Sequence, residues 1–180
     1  PFYLLRSIAP ADQDLGGWSV AAGPTTCPRN PGTSDIGSIS GAPNGSWDIL
    51  DAVQGLPCHG GSDGAESYVP ALHATASGMG LTWPGGSIPA GVTCPSIPDE
   101  VGVRRGYPCF RPGALPIVIL FGDYNFHNGP GGAEAYSFPA PTYMETVSAL
   151  NGIGARVIGV FSSGAGSPLR SDYESIARDT

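Results

Sequence analysis

Two continuous apolar runs lie in the second half of the chain, and an amphipathic segment separates them. The runs are Pro116-Ile-Val-Ile-Leu-Phe121 and Ala155-Arg-Val-Ile-Gly-Val-Phe161. A run of this length without alternation is typical of a strand that is buried on both faces, as in a parallel sheet. Between them, Thr142-Tyr-Met-Glu145 is a capping box that opens a helix ending at Asn151-Gly152. The order strand, helix, strand predicts a βαβ unit with two parallel strands.

Two further helices are predicted from the spacing of apolar positions. The first begins at Glu66 or Ser67, because Pro70 fits the first turn of a helix but not its interior. Its apolar stripe consists of Val69, Leu72 and Ala76. The second begins at Ser167-Pro168, and its apolar positions are Leu169, Tyr173, Ile176 and Ala177.

Long stretches of the chain show no periodicity. Glycine (28 residues) and proline (19 residues) together exceed a quarter of the 180 residues, which favours irregular loops. We predict long loops at about 9–45 and 78–112. Phe2–Leu5 is a candidate for a short strand, and Ser46 is a candidate N-cap for a short amphipathic helix that ends near Leu56.

The charged residues restrict the possible partners. The net charge is −7, and all eight basic residues are arginines that form no cluster. This pattern argues against nucleic acid and anionic lipid as partners, and it suits cations or a basic protein surface. No apolar run approaches the length of a membrane span, so we expect no membrane-spanning segment in this chain.

The four cysteines are predicted to form two disulfides. None belongs to a Cys-x-x-Cys pair, and the histidines are not spaced with them as zinc ligands. Three pairings are possible on paper. We favour Cys27–Cys58 and Cys94–Cys109, because each bond then closes one loop between regular elements. Disulfides indicate an oxidising compartment: the periplasm, the cell surface or the extracellular space.

Three carboxylates are candidates for a cation site. Ligands of open parallel sheets bind beyond the carboxyl ends of the strands, and Asp123 follows the strand end at Phe121 by two residues. Asp63 and Glu66 lie in a glycine-rich loop that enters a helix. Carboxylates that converge with hydroxyls and waters suit a hard divalent cation, Mg²⁺ or Ca²⁺. The alternative is that these acids serve only turns and helix starts.

Two segments of the chain resemble a known family. Ile117-Val-Ile-Leu-Phe-Gly-Asp123-Tyr-Asn-Phe-His127-Asn-Gly-Pro130 resembles the fourth strand and following loop of von Willebrand factor A domains. It looks closest to the integrin beta-subunit type and its bacterial surface relatives. Gly61-Ser-Asp63-Gly-Ala-Glu66 resembles the Asp-x-Pro-Glu segment of the same proteins. The resemblance implies that Asp123 and Glu66 bind the cation of a metal-ion-dependent adhesion site, and that Asp63 belongs to a neighbouring cation site.

The same resemblance implies a fold and a function. The implied fold is α/β, a doubly wound and mostly parallel sheet of the von Willebrand A or Rossmann-like kind. It forms one domain over residues 1–180 with the two long loops as insertions, and the resemblance covers about Leu50–Thr180. The implied function is extracellular or cell-surface adhesion without catalysis. A divalent cation engages a protein or matrix partner through a partner carboxylate, and self-assembly of the chain is the alternative.

The chain departs from the family pattern at several positions. Gly122 stands where a threonine is usual, and Ala65 stands where a proline is usual. The first strand with its Asp-x-Ser-x-Ser signature is missing, because Asp35-Ile-Gly-Ser38-Ile-Ser40 has one residue too many and lies in a predicted loop. Pro1–Leu5 fits the third strand better. We therefore expect an incomplete domain whose hydroxyl ligands belong to an upstream part.

Other functions are compatible with parts of the sequence. Gly60-Gly-Ser62-Asp-Gly64 matches the nucleophile elbow of α/β-hydrolases, and Asp123 and His127 could complete a triad. However, no buried strand precedes Ser62, and Asp123 and His127 are too close in sequence to occupy separate loops. A zinc site at His59, His73 and His127 has weaker support, because His73 lies beside an apolar stripe. The remaining alternative is a structural surface or filament subunit with a degenerate metal site.

Overall fold

The computed structural model of the chain divides into two compact units, which are described separately. The described residues are 38–42, 45–48, 64–83, 86–88, 90, 94, 101–107, 109–162 and 167–180. Several predictions lie outside them: the Phe2–Leu5 strand, the helix that ends near Leu56, the Cys27–Cys58 bond, and Asp63. The single domain with two insertions concerns the whole chain and stays a prediction.

The first unit contains an antiparallel hairpin of β1 (Ser38–Ala42) and β2 (Gly45–Asp48). Ile39 pairs with Trp47 in its register. The prediction of an unbroken loop over 9–45 was therefore wrong, and Ser46 lies in a strand where a helix cap was predicted. Strands of four or five residues contain too few alternating positions to be distinguished from a Gly/Ser-rich loop.

The described residues of the second unit form three α-helices and four strands. In chain order they are α1 (Tyr68–Ser77), β3 (Leu81–Trp83), β4 (Gly86–Ile88), β5 (Ile117–Gly122), α2 (Tyr143–Gly152), β6 (Arg156–Phe161) and α3 (Ser171–Asp179). The start of α1 agrees with the sequence, because Ser67 is its N-cap and Pro70 lies in its first turn. Within the part of the chain described here, no helix has both the length and the apolarity needed to cross a bilayer.

The predicted βαβ unit is confirmed. β5 and β6 pair in parallel, in a register that joins Ile119 to Ile158. α2 lies between them in sequence and begins with the predicted capping box. The Thr142 hydroxyl accepts a hydrogen bond from the Glu145 backbone N–H at 3.2 Å, and the Thr142 N–H donates to the Glu145 carboxylate at 2.8 Å. The chain is thus a mixed α/β protein with a small parallel sheet.

The main core lies between this sheet and the three helices. α1 packs against α2, and α3 packs against β6. All three helices share one cluster with Val118 and Leu120 of β5, so they cover the same face of the sheet. The buried side chains are Val69, Leu72, Ala76, Phe126, Tyr143, Val147, Leu150, Ala155, Val157, Tyr173 and Ile176.

The opposite face of the sheet is apolar and exposed. Its side chains are between 37% and 67% exposed, and they are Ile117, Ile119, Phe121, Ile158 and Val160. The prediction that both strands are buried on both faces was therefore wrong. A continuous apolar run provides two apolar faces, but burial also needs a layer to pack on each face. Among the described residues, helices cover only one of them.

A second hairpin and a disulfide lie within the range 78–112, where the sequence predicted a loop without regular structure. β3 and β4 pair antiparallel, and Trp83 packs with Leu81 and Phe138 in a separate small cluster. Cys94 and Cys109 form the predicted bond, with their Cα atoms 5.4 Å apart. The Tyr107 N–H donates to the Thr75 carbonyl at 2.9 Å, which attaches this segment to the end of α1.

Removal of the Cys94–Cys109 bond is expected to destabilise the protein. The bond closes a separation of 15 residues, and closing a loop of that size contributes about 3 kcal/mol by restricting the unfolded chain. The double variant Cys94→Ser/Cys109→Ser should lose about that much free energy of unfolding in urea titrations. A loss below about 1 kcal/mol would show that the segment is held by its other contacts.

The capping box of α2 provides a second stability test. Thr142→Ala removes the side-chain acceptor for the Glu145 N–H, and loss of such a cap costs about 1 kcal/mol. Ser148→Ala is the matched control, because Ser148 is exposed within the same helix. Chemical denaturation should show a lower unfolding free energy for Thr142→Ala than for the wild-type chain. Ser148→Ala should have almost the same unfolding free energy as the wild-type chain. Equal values would mean that the cap contributes nothing.

Candidate functional site

Asp123 lies at the carboxyl end of the parallel strand pair. It directly follows β5, and its side chain is exposed. The Ser162 N–H, just after β6, donates to the Gly122 carbonyl at 2.8 Å, so the two strands end side by side. This is the edge at which ligands bind in open parallel sheets. The predicted position of Asp123 beyond a strand end is confirmed.

Glu66 is held beside the loop that follows Asp123. Its N–H donates to the Asn125 carbonyl at 2.8 Å, and its carbonyl accepts from the His127 N–H at 2.9 Å. Glu66 thereby forms a parallel bridge with Phe126. The structure brings together the two segments that carry the predicted carboxylates, Asp123 and Glu66. Asp63, the third predicted ligand, lies outside the described residues, and so does Ser62 of the hydrolase alternative.

Two tyrosines cover the end of β5. The hydroxyls of Tyr68 and Tyr173 lie in the space that a side chain at Gly122 would fill, so glycine is required there. Their rings pack with Phe126 in edge-to-face contacts, with centroids 5.1 Å and 4.8 Å from the Phe126 ring. Burial raises the pKa of the Tyr173 hydroxyl, and the neighbouring Tyr68 hydroxyl and the negative charge of Asp123 raise it further. Tyr173 therefore stays neutral beside Asp123.

His127 and Asn128 have structural roles in the loop. The His127 ring is buried, donates through Nδ1 to the Glu134 carbonyl at 2.7 Å, and stacks on the Tyr136 ring at 4.3 Å. The Asn128 amide donates to the Pro141 carbonyl and accepts from the Tyr136 N–H. These contacts hold the loop in its observed conformation.

Asp172 is a site residue that the sequence analysis missed. It lies in the first turn of α3, and its carboxylate accepts a hydrogen bond from the Phe126 N–H at 2.9 Å. Phe126 is fully buried, so its N–H has no access to water. Acidic residues are common in first helical turns. The only available sequence signal was therefore too general to identify Asp172.

Asn125 carries an oxygen without a partner. Its side-chain Oδ1 is buried, and no group in the described part of the chain donates a hydrogen bond to it. Asn125 lies two residues after Asp123, and its backbone carbonyl is bound by Glu66. A buried amide oxygen is costly to leave without a hydrogen bond or a cation. This oxygen and the Tyr173 hydroxyl are therefore the two buried polar atoms near the strand end that have no hydrogen-bond partner among the described residues.

The donor atoms at this edge match the preferences of a hard cation. The carboxylates of Asp123 and Glu66 and the Asn125 Oδ1 are all oxygen ligands, which Mg²⁺ and Ca²⁺ prefer. Among the described residues, no three His, Cys, Asp or Glu side chains are grouped closely enough to hold a metal ion. A cation here would therefore need ligands besides two carboxylates, such as an amide oxygen, waters or a partner carboxylate.

Comparisons with protein families, curated proteins and solved structures returned no match to this chain. The resemblance to von Willebrand factor A domains therefore depends only on the two segments quoted from the sequence.

The hydrogen bond between Asp172 and Phe126 can be tested by paired substitutions. Asp172→Ala leaves the buried Phe126 N–H without an acceptor, which costs about 1–3 kcal/mol of unfolding free energy. Asp172→Asn keeps a side-chain oxygen and should cost much less. Urea denaturation of both variants measures the difference. If Asp172→Ala is as stable as Asp172→Asn, the bond does not hold the loop.

Proposed function

We propose that this chain is part of a von Willebrand A-type binding domain that engages an extracellular partner through a divalent cation. The observation that carries the proposal is the backbone pairing of Glu66 with residues 125–127, next to Asp123 at the carboxyl end of β5. Two carboxylates predicted from separate motifs thereby belong to adjoining segments at one sheet edge. The proposed activity is binding, without catalysis.

In the proposed mechanism, the Asp123 and Glu66 carboxylates hold Mg²⁺ or Ca²⁺ at the sheet edge, with hydroxyls supplied by an upstream part of the domain. An open coordination position accepts a carboxylate from a protein or matrix partner. Because Asp123 is exposed, a partner can approach it without rearranging the core. The Cys94–Cys109 bond favours an oxidising location, as expected for an extracellular or cell-surface protein.

The exposed face of the sheet also supports the doubly wound arrangement in this proposal. Such a fold places helices on both faces of a parallel sheet. Its strands must then be apolar on both sides, as β5 and β6 are. The second helical layer would cover Ile119, Phe121 and Ile158, which are now exposed.

The same exposed face favours a second candidate function. An apolar patch on a sheet is a typical contact surface between subunits. A structural surface or filament subunit would use this face for assembly and would not need the carboxylates at the sheet edge. The two functions differ in whether Asp123 matters for binding.

Calorimetric titration with Mg²⁺ and Ca²⁺ tests the cation site. We expect the chain to bind one of these ions. Loss of an outer-shell partner weakens metal binding about 10–100-fold, and we expect Asp123→Ala to weaken it by more than this. Glu174→Gln is the matched control, because Glu174 forms an exposed ion pair with Arg170 at 2.8 Å and is not part of the site.

The proposal is contradicted if neither the wild-type chain nor a longer polypeptide that contains it binds a cation. Binding unaffected by Asp123→Ala would contradict it as well, and would favour the structural subunit.

A further inference from the structure

The Asn125 side chain contains one of two buried oxygens at this sheet edge that have no hydrogen-bond partner among the described residues, the other being the Tyr173 hydroxyl. Its Oδ1 is shielded from solvent and accepts no hydrogen bond. Two neighbouring backbone groups are engaged elsewhere: the Asn125 carbonyl accepts from the Glu66 N–H, and the Phe126 N–H donates to Asp172.

The surroundings of Asn125 differ from those of the other loop amide. Asn128 is buried with both ends of its amide bonded, to the Tyr136 N–H and to the Pro141 carbonyl. Asn125 is closer to the candidate ligands. It follows Asp123 by two residues, and its backbone carbonyl accepts a hydrogen bond from the Glu66 N–H. An unpaired oxygen in this position resembles a ligand atom more than a structural group.

We propose that Asn125 Oδ1 is a third protein ligand of the cation site and that it makes Ca²⁺ the preferred ion. This inference rests on the proposed function, because it adds a ligand to the site of Asp123 and Glu66. When the ion binds, its contact with Oδ1 offsets the cost of burying this oxygen without a hydrogen bond. Because the amide is neutral, it adds no further negative charge beside the two carboxylates.

The preference for Ca²⁺ follows from coordination chemistry. Ca²⁺ takes about six to eight oxygen ligands in flexible geometry, including amide carbonyls. Mg²⁺ dehydrates reluctantly and is usually held by one or two carboxylates together with several waters. An amide ligand in addition to two carboxylates therefore helps Ca²⁺ more than Mg²⁺.

Substitutions at Asn125 separate a ligand from a structural amide. Asn125→Leu has a similar volume and removes the unsatisfied oxygen. In the presence of a chelator we expect an equal or higher thermal midpoint than for the wild-type chain. With Ca²⁺ we expect binding at least about tenfold weaker by calorimetry, and a smaller loss for Mg²⁺.

Asn125→Asp is the complementary variant. It offers a charged oxygen at the same position, so it should bind Ca²⁺ at least as tightly as the wild-type chain at neutral pH. Without the ion it should be less stable, because three carboxylates then repel one another. Asn151→Ala is the control: Asn151 is exposed, donates to the Asp179 carbonyl, and should leave Ca²⁺ binding unchanged.

The outcomes distinguish the inference from the function on which it rests. If Asn125→Leu binds Ca²⁺ as tightly as the wild-type chain while Asp123→Ala does not, Asn125 is not a ligand but the cation site remains. If Asn125→Leu unfolds at a clearly lower temperature in chelator, its oxygen is bonded in the protein and the inference is wrong. If neither the wild-type chain nor a longer polypeptide that contains it binds Ca²⁺ or Mg²⁺, both the inference and the proposed function are wrong.

Discussion

The buried backbone after β5 must have hydrogen-bond partners, and this requirement determines how the helices meet the sheet. Residues 126–129 are buried, so their N–H groups cannot be satisfied by solvent. The Phe126 N–H is bound by Asp172 from α3, and the His127 N–H is bound by Glu66 from the segment before α1. Two helices that are distant in sequence are thereby attached to one loop.

This arrangement divides the polar residues of the loop into two groups. The side chains of His127 and Asn128 form hydrogen bonds with the backbone of Glu134, Tyr136 and Pro141. Asp123 is exposed, and Asn125 retains an unbonded oxygen. The His127 and Asn128 side chains thus stabilise the loop, whereas the Asn125 Oδ1 has no hydrogen-bond partner among the described residues.

The sequence predicts the local parts of this structure and fails on the non-local ones. The capping box joins Thr142 to Glu145, three residues apart, so its signal lies within one window. The contact between Asp172 and Phe126 spans 46 residues, and no local pattern encodes it. Asp123 could be placed at a strand end, because β5 is a strong apolar run. The pairing of Glu66 with Phe126 came only from the structure, although the family resemblance implied that Glu66 and Asp123 act together.

The burial of β5 shows why a sequence pattern can be informative even where its simplest interpretation is wrong. Alternate residues of a strand point to opposite faces, so a strand with one solvated face usually carries polar residues at every second position. β5 carries Ile117, Ile119 and Phe121 on its exposed face instead. Each apolar side chain left in water loses about 1.5–3 kcal/mol of the stabilisation that full burial would provide. A strand that is apolar on both faces is therefore best explained by a second layer that packs against its exposed face. Such a layer over β5 and β6 need not cover Asp123, because Asp123 lies beyond the end of β5.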